Sequence, residues 1–312
     1  MSKTESLTLA LIAQRYSDED DARAYLENLR WPEGPFCPHC GSLEVYRLNA
    51  KAGSTKPGRK GLLKCKYCRK QFTVTVGTIF EATHIPMNKW LQAIYLLCTS
   101  KKGMSAHQMH RMLGITYKSA WFLCHRIRYA MEQGPNGAML SGIIEVDETY
   151  VGGKRKKGEW KKSGFKGAPA DHMAPVVALV ERGGRVRAFP MERVTAENLR
   201  AVLKENVDKS ARIMTDEAKA YSGLDQYFAS HETVNHTAKE YVRGDVTTNT
   251  VEGFFGIFKR GINGVYHHVS KKHLHRYTGE FEFRYNGRKI SDGARTMLAV
   301  RGFEGKRLKY RD

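Results

Sequence analysis

The chain has 312 residues, enough for about two domains of ~150 residues each. Its 52 Lys and Arg against 32 Asp and Glu leave a net charge of +20, with 41% hydrophobic residues, which excludes a disordered tail. The longest apolar run, residues 173–180, falls far short of the ~20 residues a membrane-spanning helix needs. The start, MSKTESLTLALIAQ, has one Lys, a brief apolar stretch and no small-residue cleavage site, so no signal peptide is expected. The charge is uneven: residues 1–30 hold four basic and six acidic side chains, and the rest carries +22. Such an excess points to a polyanion, because neutralising phosphates releases counterions and gives sequence-independent affinity. No strongly amphipathic basic helix argues for a membrane surface, so nucleic acid is the expected partner.

In chain order, residues 1–30 read as a helical arm, with Leu7, Leu11, Tyr25, Leu26 and Leu29 between charges. Residues 31–80 carry two C-x-x-C pairs, Cys37-Pro-His-Cys40 and Cys65-Lys-Tyr-Cys68, separated by 24 residues. Two such knuckles brought together supply four thiolates in a tetrahedral array, the donor set of a closed structural zinc site. The Gly/Lys/Pro-rich stretch 50–60 accounts for the long gap as a hairpin insertion. A disulfide framework fits poorly without a secretion signal, and a redox C-x-x-C has no need of a second copy. His39 is a spacer inside the first knuckle. The β-branched run after Cys68 suits a strand, and the ribbon binds DNA or another protein. Cys98 and Cys124, in apolar helical patterns, read as core thiols.

Residues 84–133 change to helical periodicity, with Met87, Trp90, Leu91, Ile94, Leu97 and Cys98 at i, i+3, i+4, i+7 spacing. Ser105 predicts the N-cap of a short helix ending near Leu113-Gly114, and Thr116 caps a third with Ala120, Cys124 and Ile127 on one face. Two short helices joined by a Gly-containing turn, the second basic, resemble a helix-turn-helix. In that geometry Tyr117, Lys118 and Ser119 face the groove, and Arg126 and Arg128 meet phosphates. An ordinary three-helix connector is the alternative.

Residues 138–290 alternate strand-like and helix-like stretches, the pattern of an α/β domain. Strands are expected at 142–147, 173–180, 185–191 and 211–215, and a helix at 195–205. Three acids occur at element ends: Asp147 after GIIEV, Asp216 after RIMT, and Glu252 opening a helix after VTTNT. Three carboxylates that converge can hold two divalent cations, which clamp the attacking and leaving oxygens of an in-line phosphoryl displacement. Each acid also has a duller reading. Asp147 sits among Glu145 and Glu148 as solvated charges, Asp216 and Glu217 start a helix, and Asn249-Thr-Val-Glu252 matches a capping box.

The motifs CPHC/CKYC, EVDETYVGGK, TDEAKAY and the long stretch from NHTAKEY to FRYNGRK together resemble an insertion-sequence DDE transposase of the ISXO2-like type. The resemblance spans residues 30–290. It implies an α/β RNase H-like catalytic core, a mixed sheet with flanking helices, behind a zinc ribbon and a helix-turn-helix-like segment. It makes Asp147, Asp216 and Glu252 the catalytic, metal-binding triad, with Asn249 a second choice for the third ligand. The 35 residues between Asp216 and Glu252 match the spacing common in DDE enzymes. Relatives often have His where Thr247 stands. The implied cofactors are two Mg²⁺ or Mn²⁺ per active site and one structural Zn²⁺.

The implied reaction is phosphodiester hydrolysis at element ends followed by 3′-OH strand transfer into target DNA, by a homo-oligomer on paired ends in a bacterial cytoplasm, at the nucleoid. No enzyme nucleophile is needed; Tyr150, Tyr221 and Tyr266 serve only a phosphotyrosine alternative, and packing or DNA contact is the plainer role for each. Residues 154–166 hold seven Lys or Arg, with Lys154, Arg155, Lys156, Lys157, Lys161 and Lys162 around Trp160, a basic loop suited to DNA. Lys259, Arg260, His267, His268, Lys271 and Lys272 extend this character. Residues 291–312 are expected to be a basic, backbone-binding tail. Two other readings compete: a zinc-ribbon and helix-turn-helix regulator without catalysis, and a metal-dependent nuclease that does not join ends.

Overall fold

The computed structural model describes residues 7–48, 60–132, 137–152 and 173–309. These form two compact units, one of residues 1–132 with 290–312, the other of residues 133–289.

The first unit opens with helices α1 (Leu9–Arg15) and α2 (Glu19–Arg30). Asp18 caps α2 through the Asp20 N–H, and Glu19, Asp20 and Asp21 fill its first turn, where the helix dipole favours acids. That explains the acidic bias of the arm. A small antiparallel sheet follows, β1 (Val45–Arg47), β2 (Leu63–Cys65) and β3 (Gln71–Phe72). Then come α3 (Met87–Thr99), α4 (Ala106–Leu113) and α5 (Tyr117–Met131). The Ser105 side chain caps α4, Gly114 ends it at φ 59°, and Thr116 caps α5 three residues on. A tight turn of this kind needs the left-handed conformation that Gly adopts without strain.

Residues 291–312 do more than trail as a basic tail. Asp292–Arg301 forms a helix packed on α3 and α5. The Arg30 guanidinium, in the same unit, pairs with Glu304 at 2.7 Å and donates to the carbonyls of Val74 and Val76. The Lys306 ammonium donates to the carbonyls of Tyr129, Ala130 and Glu132, the last turn of α5.

The second unit is built on a five-stranded mixed sheet. Its strands are β4 (Ile143–Val151), β5 (Ala174–Glu181), β6 (Val186–Pro190), β7 (Arg212–Thr215) and β8 (Ser230–Thr233), with α6 (Ala196–Asn206) between β6 and β7. Their order across the sheet is β6-β5-β4-β7-β8. β4, β5 and β6 are antiparallel neighbours, whereas β7 and β8 join in parallel. This is the RNase H-like arrangement. A short hairpin, β9 (Val242–Arg243) and β10 (Val246–Thr247), leads into α7 (Asn249–Gly261), and α8 (Leu274–Asn286) follows.

Both faces of the sheet are covered, so its strands read as nearly continuous apolar runs. Ile144, Val146, Val177 and Leu179 pack with Leu199 and Leu203 of α6. Val176, Ala178 and Val180 pack on the other face with Phe254, Phe255 and Phe258 of α7 and Phe281 of α8. Within α8, Glu280 is fully buried and satisfied by Arg284 and by the Tyr266 hydroxyl at 2.6 Å.

Candidate active site

Asp147 does not end its strand. β4 runs on to Val151 because β5 pairs with its whole length, Asp147 lying opposite Ala178. On the other side the parallel pairing with β7 stops at Glu145↔Met214. Asp147 therefore sits just beyond the point where β7 turns away into Asp216, past the end of the parallel pairing between β4 and β7. Open α/β sheets place their sites in such crevices. The Ala218 N–H donates to Asp216 Oδ1 at 3.0 Å and fixes the turn there.

Burial pushes the Asp147 carboxyl up to about 7, and the charges of Glu148, Asp216 and Glu252 push it in the same direction. The three acids singled out in the sequence thus act on one electrostatic site. Glu148, on the opposite face of β4, is raised by burial and accepts the hydroxyl of the fully buried Tyr221. Tyr221 and Tyr266 are thereby engaged by carboxylates, which accounts for both as packing residues.

Glu145 is the residue that sequence reasoning misplaced. It is fully buried, not solvated, although it shares the strand face of Asp147. Its carboxylate accepts from the Arg182 Nε at 3.0 Å and Nη2 at 2.8 Å. It also accepts the N–H of Thr250 at 2.7 Å and of Val251 at 3.1 Å, together with the Thr250 hydroxyl at 2.8 Å. These N–H groups belong to the first turn of α7, which has no intrahelical partner for them. Glu145 thus anchors the helix that carries Glu252 to the strand that carries Asp147.

With Glu145 in that place, Asn249-Thr-Val-Glu252 forms no capping box. Thr248 is the N-cap of α7 yet makes no side-chain cap bond. Its hydroxyl instead donates to Glu252 Oε1 at 3.1 Å. The His236 ring also meets this group, Nε2 lying 3.8 Å from Glu252 Oε1 and 3.5 Å from Thr248 Oγ1. Asn249 is the exposed first residue of α7, its N–H donated to the Thr247 hydroxyl at 3.2 Å. A His in a polar, turn-rich loop gave no periodic or spacing signal to single it out.

The four cysteines form a tighter group. Cys37 and Cys68 sulfurs lie 3.6 Å apart, Cys40 and Cys65 3.7 Å, and all four ligand atoms fall within 4.8 Å of one another. Four sulfurs at ~2.3 Å from a tetrahedral zinc are separated by about 3.8 Å, so the donor set fits that ion. Burial pushes the Cys65 thiol up, but the N–H groups of Cys68 and Tyr67 outweigh it and bring it down to about 6. Among the described residues this is the one group of three or more His, Cys, Asp or Glu drawn that close; the acids of the second unit are more widely spread. Cys98 and Cys124 are buried core thiols.

The expected DNA contacts divide. Tyr117 and Lys118 are exposed at the start of α5, Tyr117 stacked on His107 at 4.1 Å between ring centroids, and the Ser119 hydroxyl accepts from Thr116. Arg126 and Arg128, expected at phosphates, are instead 6% and 2% exposed, buried within the first unit rather than set on a solvent face. Arg126 stacks over the Phe122 ring at 4.5 Å, and burial lowers its pKa. Lys259, Arg260, His267, His268, Lys271 and Lys272 are exposed. Lys154, Arg155, Lys156, Lys157, Lys161 and Lys162 lie outside the described residues. No helix among the described residues is long and apolar enough to cross a membrane.

Residues 139–286 match the family described as the ISXO2-like transposase domain, and residues 17–71 match the transposase zinc-ribbon domain. An uncharacterized protein in transposable element ISH50 of Halobacterium salinarum is 29% identical over 279 residues, 86% of this chain and 91% of that one. Among solved structures, a chain of the simian T-cell lymphotropic virus intasome in complex with PP2A regulatory subunit B56 gamma is 17% identical at a TM-score of 0.28, over 59% of this chain and 66% of that one. The Mos1 mariner paired-end complex with Mn gives 12% identity and a TM-score of 0.20, over 61% and 75%. Superpositions this loose carry over no residue or role.

Proposed function

We propose that this chain, which belongs to the ISXO2-like transposase family, cuts and joins DNA at the site formed by Asp147, Asp216 and Glu252. What supports this is the placement of the three acids, Asp147 just past the end of the β4–β7 pairing, Asp216 directly after β7 and Glu252 on the helix that Glu145 ties to β4, with burial and acidic neighbours raising the Asp147 carboxyl. Carboxylates held together at such a cost suit divalent cations, Mg²⁺ or Mn²⁺, two per site, which supply charge neutralisation and an activated oxygen nucleophile when bound. Asp147 and Asp216 hold ligands at fixed points on the sheet, and Glu252 brings the third from α7. Water attacks the scissile phosphorus and breaks its bond to the 3′ oxygen, leaving a 3′-OH on the element end and a 5′-phosphate on the flank. That 3′-OH then attacks a target phosphodiester, joins the strands and releases a target 3′-OH.

Tyr117, Lys118 and Ser119 of the helix-turn-helix-like segment, Lys259 and Arg260 of α7, and the basic residues between Lys154 and Lys162 contact element or target DNA. Two element ends must be joined, so the working form is a homo-oligomer at the bacterial nucleoid.

The test is strand transfer with a labelled duplex of the element's own terminal repeat and a supercoiled plasmid, beside Asp216→Asn. Metal-dependent joining by the wild type and a loss of ~10²–10³-fold in the variant are expected, the scale of removing one group that stabilises transition-state charge. Equal activity in both removes Asp216 from the site. Specific binding without cleavage under several divalent metals favours the regulator, and cleavage without joining favours the nuclease.

A further inference from the structure

Thr is a strong N-cap because its side-chain oxygen accepts a free N–H of the first helical turn. Thr248 holds the N-cap position of α7 and forgoes that bond. Glu145 caps the helix instead, and the Thr248 hydroxyl donates to Glu252 Oε1. A hydroxyl has one proton to give. With that proton directed at Glu252, the Thr248 oxygen is left to accept, and His236 Nε2 stands 3.5 Å away to donate. Thr248 is buried, 1% exposed, so water does not compete freely for this arrangement.

His236 is itself fixed from the other side of the site. Its backbone N–H donates to Glu217 Oε2 at 2.9 Å, and the N–H and hydroxyl of Thr237 donate to Oε1 at 3.0 and 2.6 Å. The Thr237 hydroxyl, with these N–H groups, holds the Glu217 carboxyl down at about 2. Glu217 follows Asp216 directly. The loop bearing His236 is thus tied to the residue beside one acid while its ring meets another.

We infer that His236, acting with Thr248, is a positioning residue that ties back Oε1 of Glu252 and leaves Oε2 to meet the divalent cation. This rests on the reading of Glu252 as a metal ligand. Groups that orient a ligating carboxylate change metal affinity or activity 10–100-fold when removed. A simple packing role, through the Tyr241 ring at 5.2 Å between centroids, predicts no such change.

The experiment measures Mn²⁺ binding to the full chain without DNA, by the electron paramagnetic resonance signal of the free ion, beside a metal titration of strand transfer. His236→Ala is expected to weaken Mn²⁺ about 10-fold or more, with a much smaller loss of strand transfer at saturating metal. His236→Gln, whose Nε2 can replace the ring nitrogen, recovers most of the affinity. Thr248→Val weakens binding to the same degree, and the double variant is no worse than either single one. Wild-type Mn²⁺ affinity in His236→Ala, while Glu252→Gln loses it, overturns the inference and leaves the acid site standing. Unchanged affinity and joining in Glu252→Gln instead overturn the reading of Glu252 and the inference with it. If His236→Ala does not fold, Thr248→Val carries the test with the same two results.

Discussion

Glu145 and Asp147 lie two residues apart on one face of one strand, and their surroundings give them opposite roles. Glu145 meets a guanidinium and the open end of a helix; Asp147 is raised by burial and by the like charges around it. Removing Glu145 strands Arg182 and the first turn of α7 together. Glu145→Ala is expected to cost about 3 kcal/mol, and Glu145→Ala with Arg182→Ala less than the sum of the two, read by urea denaturation. Asp147 works the other way. Its folded pKa of about 7 lies above the unfolded 3.8, so the folded state binds the extra proton between those values. Its stabilising contribution is complete below pH 3.8 and is lost as pH rises through 7. Metal-free Asp147→Asn, which keeps no charge there, is expected to be more stable than the wild type at pH 8 and equal to it at pH 4. The ceiling is about 4 kcal/mol, measured by thermal melting. Mn²⁺ then raises the wild-type melting temperature at pH 8 and leaves the variant nearly unmoved.

At the scale of elements, α7 carries two helix-interior glycines, Gly253 and Gly256, beside Glu252 and one turn before Lys259 and Arg260. A Cβ at Gly253 would meet nothing within 4 Å. Gly253→Ala is therefore expected to stabilise the protein by ~0.5–1 kcal/mol, because Ala loses less backbone entropy in a helix. A drop in strand transfer despite that gain locates DNA against this face of the helix.

Much of this architecture was legible in the chain. The caps at Ser105 and Thr116, the Gly114 stop, the cysteine pairs and the apolar strands all follow from local chemistry. Glu145 was not, since an acid in a strand reads as solvated until a partner from a turn 37 residues on and a helix 105 residues on are in place. Arg126 and Arg128 are buried, whereas a charged residue on a helix is assigned outward by default. The end of β4 was misjudged because its length is set by β5, whereas the position of Asp147 in the crevice is set by β7.

At the scale of the molecule, the first unit is discontinuous in sequence, with its last helix and Lys306 supplied from beyond residue 289. Three of the four tryptophans, Trp31, Trp90 and Trp121, belong to it. A chain ending at Lys289 is expected to show red-shifted tryptophan emission and lose duplex binding, because the α3 and α5 surfaces it uncovers are apolar. Zinc chelation is expected to act on the same unit, since a structural zinc site contributes directly to folding.

That discontinuity also sets a clock. A ribosome adding roughly 5–20 residues per second takes on the order of ten to thirty seconds to cross the 157 residues between the two parts of the first unit. For that interval the nascent chain holds an unfinished first unit with α3 and α5 uncovered, while the second unit emerges. A message cut short anywhere in that stretch yields no finished first unit, so translation to the last helix acts as the licence for the whole activity.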